Sequence, residues 1–165
     1  MKTRTWAIAA AAIVFLADQL TKWFVIGPLQ LQWVRQIPVL PIFNLTWTEN
    51  YGISLGLLTA SGETGRWLLV GMTAIIAGGI AWWITHEHQR GDQIALGMVL
   101  GGALGNILDR VRFGYVVDFA DLHFGEFRPF LIFNVGDAAI SIGIAILLLR
   151  AFLTRNEPKE KVEHA

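Results

Sequence analysis

The chain has 165 residues, 54% of them hydrophobic and 16% charged, with a mean hydropathy of +0.50. Soluble domains average about 45–50% apolar and about 25% charged, so the surplus calls for a membrane rather than one small core. Thirteen basic residues balance thirteen acidic ones, which leaves no electrostatic footprint for nucleic acid, and the lack of cysteine removes disulfides, thiolate metal sites and thiol catalysis.

A membrane-crossing helix needs roughly 20 mostly apolar residues. Spans are predicted at about 6–26, 67–84, 94–111 and 130–152, within a single domain covering 1–153. The first follows Lys2 and Arg4 as a signal peptide would, but Asp18-Gln19-Leu20-Thr21-Lys22 stands where a small-residue cleavage site belongs, so it reads as retained. Between spans one and two, Leu29, Leu31 and Trp33 alternate with polar residues, as do Phe43, Leu45 and Trp47. Period-two alternation predicts strands, with Pro38 and Pro41 in the turn between them. A small sheet, a cradle on the outer membrane surface, is therefore expected to accompany an all-α bundle of four spans. Residues 112–129 are partly strand-like around Tyr115-Val116-Val117, and 154–165 read as a disordered tail.

Lys2, Arg4, Arg90, Arg150, Arg155, Lys159 and Lys161 fall on the side of the termini; Arg35, Arg66, Arg112 and Arg128 fall on the other. The bias places the termini in the cytoplasm. Glycines at 97, 101 and 105 in span three give small-xxx-small spacing for close helix packing.

Ionisable groups within a membrane are costly, so each is a functional candidate. Asp137 is expected seven residues into span four, with Asn134 one turn before it on the same face. Asp109 has Arg110 beside it and could equally reach other cations, so it reads as half of a structural ion pair, as does Asp18 with Lys22 at i, i+4. Asp118, in Gly114-Tyr115-Val116-Val117-Asp118-Phe119, has only apolar neighbours, whereas Asp121 reads as solvated. Asp118 and Asp137 thus form the best-matched pair. Two carboxyls sharing a proton can activate water and protonate a carbonyl with no metal or cofactor. Gly52-Ile53-Ser54-Leu55-Gly56 matches the serine-hydrolase elbow by letter only, since no α/β sheet or membrane histidine accompanies it. His86-Glu87-His88 lacks the i, i+4 spacing of a zinc helix.

Five blocks in order resemble the lipoprotein signal peptidases (signal peptidase II): Asp18–Lys22, Asn50-Tyr51-Gly52, Gly101–Arg110, Gly114–Phe119 and Phe133–Ala139. The chain departs from the family at Ile53-Ser54-Leu55, where Ala-Ala-Phe is common, and at Gly136-Asp137-Ala138, where Ala-Asp-Ser is common. The resemblance implies an aspartic endopeptidase of the bacterial inner membrane, active near its outer face, that cuts prolipoproteins before a diacylglyceryl-modified cysteine. It implies Asp118 and Asp137 as the catalytic dyad, and Asp18, Lys22, Asn50, Gly52, Asn106, Asp109, Arg110 and Asn134 as lining or supporting residues. Its partners would be the lipidated precursor and membrane lipids, and a monomer is expected. Two other classes compete: a presenilin- or prepilin-type aspartyl protease, partly echoed in Val135-Gly136-Asp137, and a small proton-coupled transporter using Asp137. Both fit less well, because those proteases use more spans and a transporter needs polar groups along a whole path.

Overall fold

The computed structural model describes residues 4–52 and 63–155. Among the described residues, four helices are long and apolar enough to cross a membrane: α1 (Thr5–Ile26), α3 (Glu63–His86), α4 (Arg90–Phe113) and α5 (Val135–Arg155). Between α1 and α3 lie a short helix α2 (Leu31–Val34) and strands β1 (Gln36–Leu40) and β2 (Phe43–Asn50). Strand β3 (Val116–Leu122) lies between α4 and α5. Alternating helix direction puts the start of α1 and the end of α5 at one end of the bundle and the sheet at the other.

Helix α4 is the axis. Half of its apolar window is buried, against 17% for each of the other three, and α1, α3 and α5 all pack on it. Glycine spacing explains why. A Cβ at Gly97 or Gly101 would run into the α1 backbone at Ala7 or Ala11, and one at Gly102 would strike the Gly136 carbonyl of α5. Backbones approach this closely only where side chains are missing. The outward faces keep large apolar side chains exposed, among them Ile13, Ile75 and Leu148, as lipid contact requires.

The sheet is antiparallel, ordered β1-β2-β3. The predicted second strand is observed as β2, but the first is displaced. Residues 31–34 coil into α2, flanked by left-handed backbone at Gln30 (φ 45°) and Arg35 (φ 68°), and the strand begins only at Gln36. Pro38 lies inside β1 rather than in a turn. An edge strand tolerates it, because one side of its backbone pairs with nothing. The third strand comes from beyond span three, so the sheet is not built solely between spans one and two. Beneath it, Trp47, Val117 and Phe119 pack on Val25 of α1 and Leu31 of α2.

Candidate active site

Asn134 organises the site. It immediately precedes α5, and its Oδ1 accepts the backbone N–H of Asp137 at 2.9 Å while Asp137 Oδ2 accepts the backbone N–H of Asn134 at 3.3 Å. This reciprocal pair is a capping box, which satisfies amides that the first helical turn leaves unpaired. Asp137 therefore stands in the first turn of α5, not seven residues into a span, because the helix starts at Val135 rather than near 130. Residues 130–134 approach the sheet instead: Phe133 pairs with Ala120 of β3.

The Asn134 amide donates to Asp118 Oδ1 at 2.6 Å and to Asn106 Oδ1 at 3.2 Å. Asn106 in turn donates to Asp137 Oδ1 at 2.8 Å. Asn50, at the end of β2, donates to the other Asp118 oxygen at 3.0 Å, and its own Oδ1 accepts the N–H of Gly52 at 3.0 Å. Gly52 is needed there: its φ is 112°, and a Cβ would collide with Leu69. Three asparagines thus hold the two carboxyls named from sequence. Asp118 is 1% exposed. Burial, and secondarily the charge of Asp137, push its carboxyl up to about 7, against the hydrogen bonds from Asn50 and Asn134.

Behind this pair lies a buried ionic cluster. Lys22 Nζ sits 2.8 Å from Asp18 Oδ2 and 2.8 Å from Asp109 Oδ2, and donates to Asn106 Oδ1 at 3.2 Å. The Asp18–Lys22 pair agrees with the i, i+4 expectation. Asp18 also accepts the backbone N–H of Gly136 at 2.9 Å, and Asp109 accepts that of Val117 at 3.1 Å. One cluster therefore fixes the starts of both α5 and β3. A Cβ at Gly105 would overlap the Asp18 carboxylate, so the glycine stripe also makes room for site chemistry. Gln19, which has no charge to single it out in the sequence, donates to Asp18 at 3.1 Å and to Asp109 at 3.1 Å. Its place beside Asp18 in the same block was the signal available.

Asp109 stands in an ion pair, as expected, whereas Asp121 departs from expectation. Asp109 takes Lys22, not Arg110, as its cation. Arg110 forms no ion pair among the described residues; its buried Nε has no hydrogen-bond partner there, and it lies in the field of Asp137, Asp118 and Asp109. Asp121 is not solvated. It is 1% exposed, accepts Thr46 Oγ1 at 3.0 Å, and pairs with Arg128 Nε at 3.1 Å, tying β2 and the 123–130 loop to β3. Asp121→Ala should lower stability by about 1–3 kcal/mol, the cost of stranding buried hydrogen-bond partners, while cleavage per folded molecule persists. Thermal melting alongside a turnover assay on the soluble fraction checks both halves. Ser54 of the literal serine motif lies outside the described residues.

Residues 10–153 match the family model described as signal peptidase (SPase) II. The chain belongs to the signal peptidase II family. It is 59% identical over 143 residues to a lipoprotein signal peptidase of Sphingopyxis alaskensis, covering 87% of this chain and 83% of the relative. One from Rhizorhabdus wittichii is 53% identical over 161 residues, covering 98% and 93%. A solved structure described as a bacterial membrane enzyme superposes with a TM-score of 0.78 at 28% identity, covering 96% of this chain and 94% of that one. Membership in the signal peptidase II family makes the chain a protease, and its four long apolar helices make it a multi-pass membrane protein.

Proposed function

We propose that this signal peptidase II homologue is an aspartic endopeptidase that removes signal peptides from prolipoproteins, cutting before a cysteine that carries diacylglyceryl. The observation that carries the reading is two carboxyls joined through one asparagine at the sheet end of a membrane bundle: the Asn134 side-chain amide donates to Asp118 and its backbone N–H to Asp137, and the Asp118 carboxyl is pushed up to about 7. Asp118 holds the shared proton. Asp137 accepts a proton from water as the oxygen attacks the scissile carbonyl, and the proton on Asp118 passes to the carbonyl oxygen. Collapse of the tetrahedral intermediate then expels the amine, which takes a proton from the dyad.

A scissile bond in a helical signal peptide must be unwound before attack, and its freed backbone groups need partners in a medium short of water. Arg110, whose Nε is buried and unbonded among the described residues, donates to that backbone. Asn50, Asn106 and Asn134 hold the dyad, while Asp18, Lys22, Asp109 and Gly52 hold the asparagines and the elements that carry them.

Purified protein should cleave a diacylglyceryl-modified precursor and leave the same precursor with serine in place of the cysteine intact. Equal cleavage of both, or of neither, overturns the reading. The enzyme sits in the inner membrane with its sheet on the periplasmic side and its termini in the cytoplasm. Reporter fusions should therefore place residue 90 in the cytoplasm and residue 126 outside it; the reverse pattern refutes this orientation.

A further inference from the structure

A second recess lies on the opposite side of β2 from the dyad. Side chains alternate across a strand, so Asn50 faces Asp118 while Trp47 and Glu49 turn the other way. Trp47 Nε1 donates to one Glu49 oxygen at 3.2 Å and the Tyr51 hydroxyl donates to the other at 2.6 Å, which groups the three together. Trp33, Trp47, Glu49, Phe113 and Tyr115 line a cavity of about 410 Å³. Its aromatic walls stand at angles: Trp47 meets Tyr115 edge-on at 6.5 Å, and Phe113 stacks on Tyr115 at 6.1 Å.

The charges around this recess form a pattern. The hydroxyl of Tyr51 and then the indole N–H of Trp47 hold the Glu49 carboxyl below its ordinary value, so it is an anion at neutral pH. No lysine or arginine pairs with it among the described residues, and a carboxylate with one bond on each oxygen keeps lone pairs free. Two cations stand nearby. Arg35 acts on Glu49 through its field, and the Arg112 guanidinium lies 5.0 Å from the Phe113 ring centre. Neither pairs with a carboxylate among the described residues.

A simple anion would be repelled by Glu49, and a simple cation by the two arginines. A group that carries both charges on neighbouring atoms suits all three. An ammonium is also what aromatic faces beside a carboxylate attract, and a phosphate is what guanidinium groups attract. Depth agrees, because Ile26 and Phe113, which also line the recess, are the last residues of α1 and α4, where those helices leave the hydrocarbon. Trp33 is 77% exposed at this level, as an interfacial tryptophan would be, and Leu20, Trp23 and Phe24 of α1 offer exposed apolar surface for tails.

We propose that this recess binds the headgroup of a zwitterionic aminophospholipid from the leaflet beside the sheet, with its ammonium against Glu49 among the aromatic rings and its phosphate near Arg35 and Arg112. Such a lipid would brace the back of the strand whose front carries Asn50. The site does not depend on the protease chemistry.

The test is native mass spectrometry of the full chain in maltoside detergent, with phosphatidylethanolamine and phosphatidylglycerol in equal amounts. Wild type should retain phosphatidylethanolamine preferentially. Glu49→Gln should lower the retained ratio about fivefold, the loss expected for one ammonium contact, at an unchanged melting temperature. If Glu49→Gln melts lower, Trp33→Ala removes one wall at an exposed position and should reduce the ratio in the same direction. Equal retention of both lipids by wild type, or a ratio unmoved by the folded variants, overturns the proposal. So does a Glu49→Gln effect confined to cleavage of precursors with a lysine near the modified cysteine, since the ammonium would then belong to the substrate.

Discussion

Asp118→Asn and Asp137→Asn should each reduce cleavage by about a thousandfold or more, the scale of general acid–base loss, while the protein folds and still binds the lipidated precursor. Asparagine keeps the size of the side chain but cannot take a proton from water or share one with its neighbour. The double variant should be hardly worse than either single one, because two coupled carboxyls titrate as one unit. Single-turnover cleavage with a separate binding measurement distinguishes lost chemistry from lost affinity. The pH profile gives an independent reading. In the proposed mechanism Asp118, pushed up to about 7, supplies the proton, so turnover should fall as pH rises through that value. The sign for stability is the same: a carboxyl raised on folding stabilises most below its ordinary value of 3.8, and that contribution is lost as pH climbs toward about 7. Near-normal turnover in either single variant would exclude the dyad.

Lys22→Met should be the most destabilising single change in the bundle. Lys22 is 2% exposed, and its ammonium is the cation that both Asp18 and Asp109 share. Its removal strands two carboxylates that are themselves fully buried. Breaking a buried pair from one side costs about 3–5 kcal/mol, which for a chain of this size corresponds to a fall of roughly 10 °C or more in melting temperature. Adding Asp18→Asn and Asp109→Asn to the methionine variant should recover much of that loss, because the stranded charges go with them. Melting in detergent measures both steps. If Lys22→Met melts like wild type, the cluster is not what holds α1, α4 and the start of β3 together.

The two carboxyls proposed as the dyad could be singled out in the sequence because a carboxyl among apolar neighbours at a membrane edge is costly to keep. Asp118 shows it in five letters, and Asp137 shows it through Asn134. What sequence order conceals is who the partner is. Asp109 sits beside Arg110 in the chain, yet a helix points adjacent side chains apart, and Lys22 reaches it from another helix. Asp121 looked solvated because its partners, Thr46 and Arg128, come from another strand and from a loop. Alternation at Leu29, Leu31 and Trp33 was too short to separate a strand from one turn of helix. The start of α5 was readable after all: asparagine followed three residues later by an acid is a helix-start signature, and applied to Asn134 and Asp137 it sets the boundary that hydropathy alone placed near residue 130.

Among the described residues, the side chains that hydrogen-bond the carboxyls of the proposed dyad are amides rather than groups that titrate. Asn50, Asn106 and Asn134 supply side-chain hydrogen bonds to its oxygens, and the ammonium of Lys22 is kept one residue away, behind Asn106. Amide side chains neither gain nor lose protons in the range where an enzyme works. Asn50, Asn106 and Asn134 therefore act as a proton insulator: they can orient the two carboxyls but cannot drain the proton between them into the ionic cluster behind. In the proposed mechanism the asparagines on that side offer the shared proton no titrating group, so it exchanges with the attacking water, the carbonyl and the departing amine.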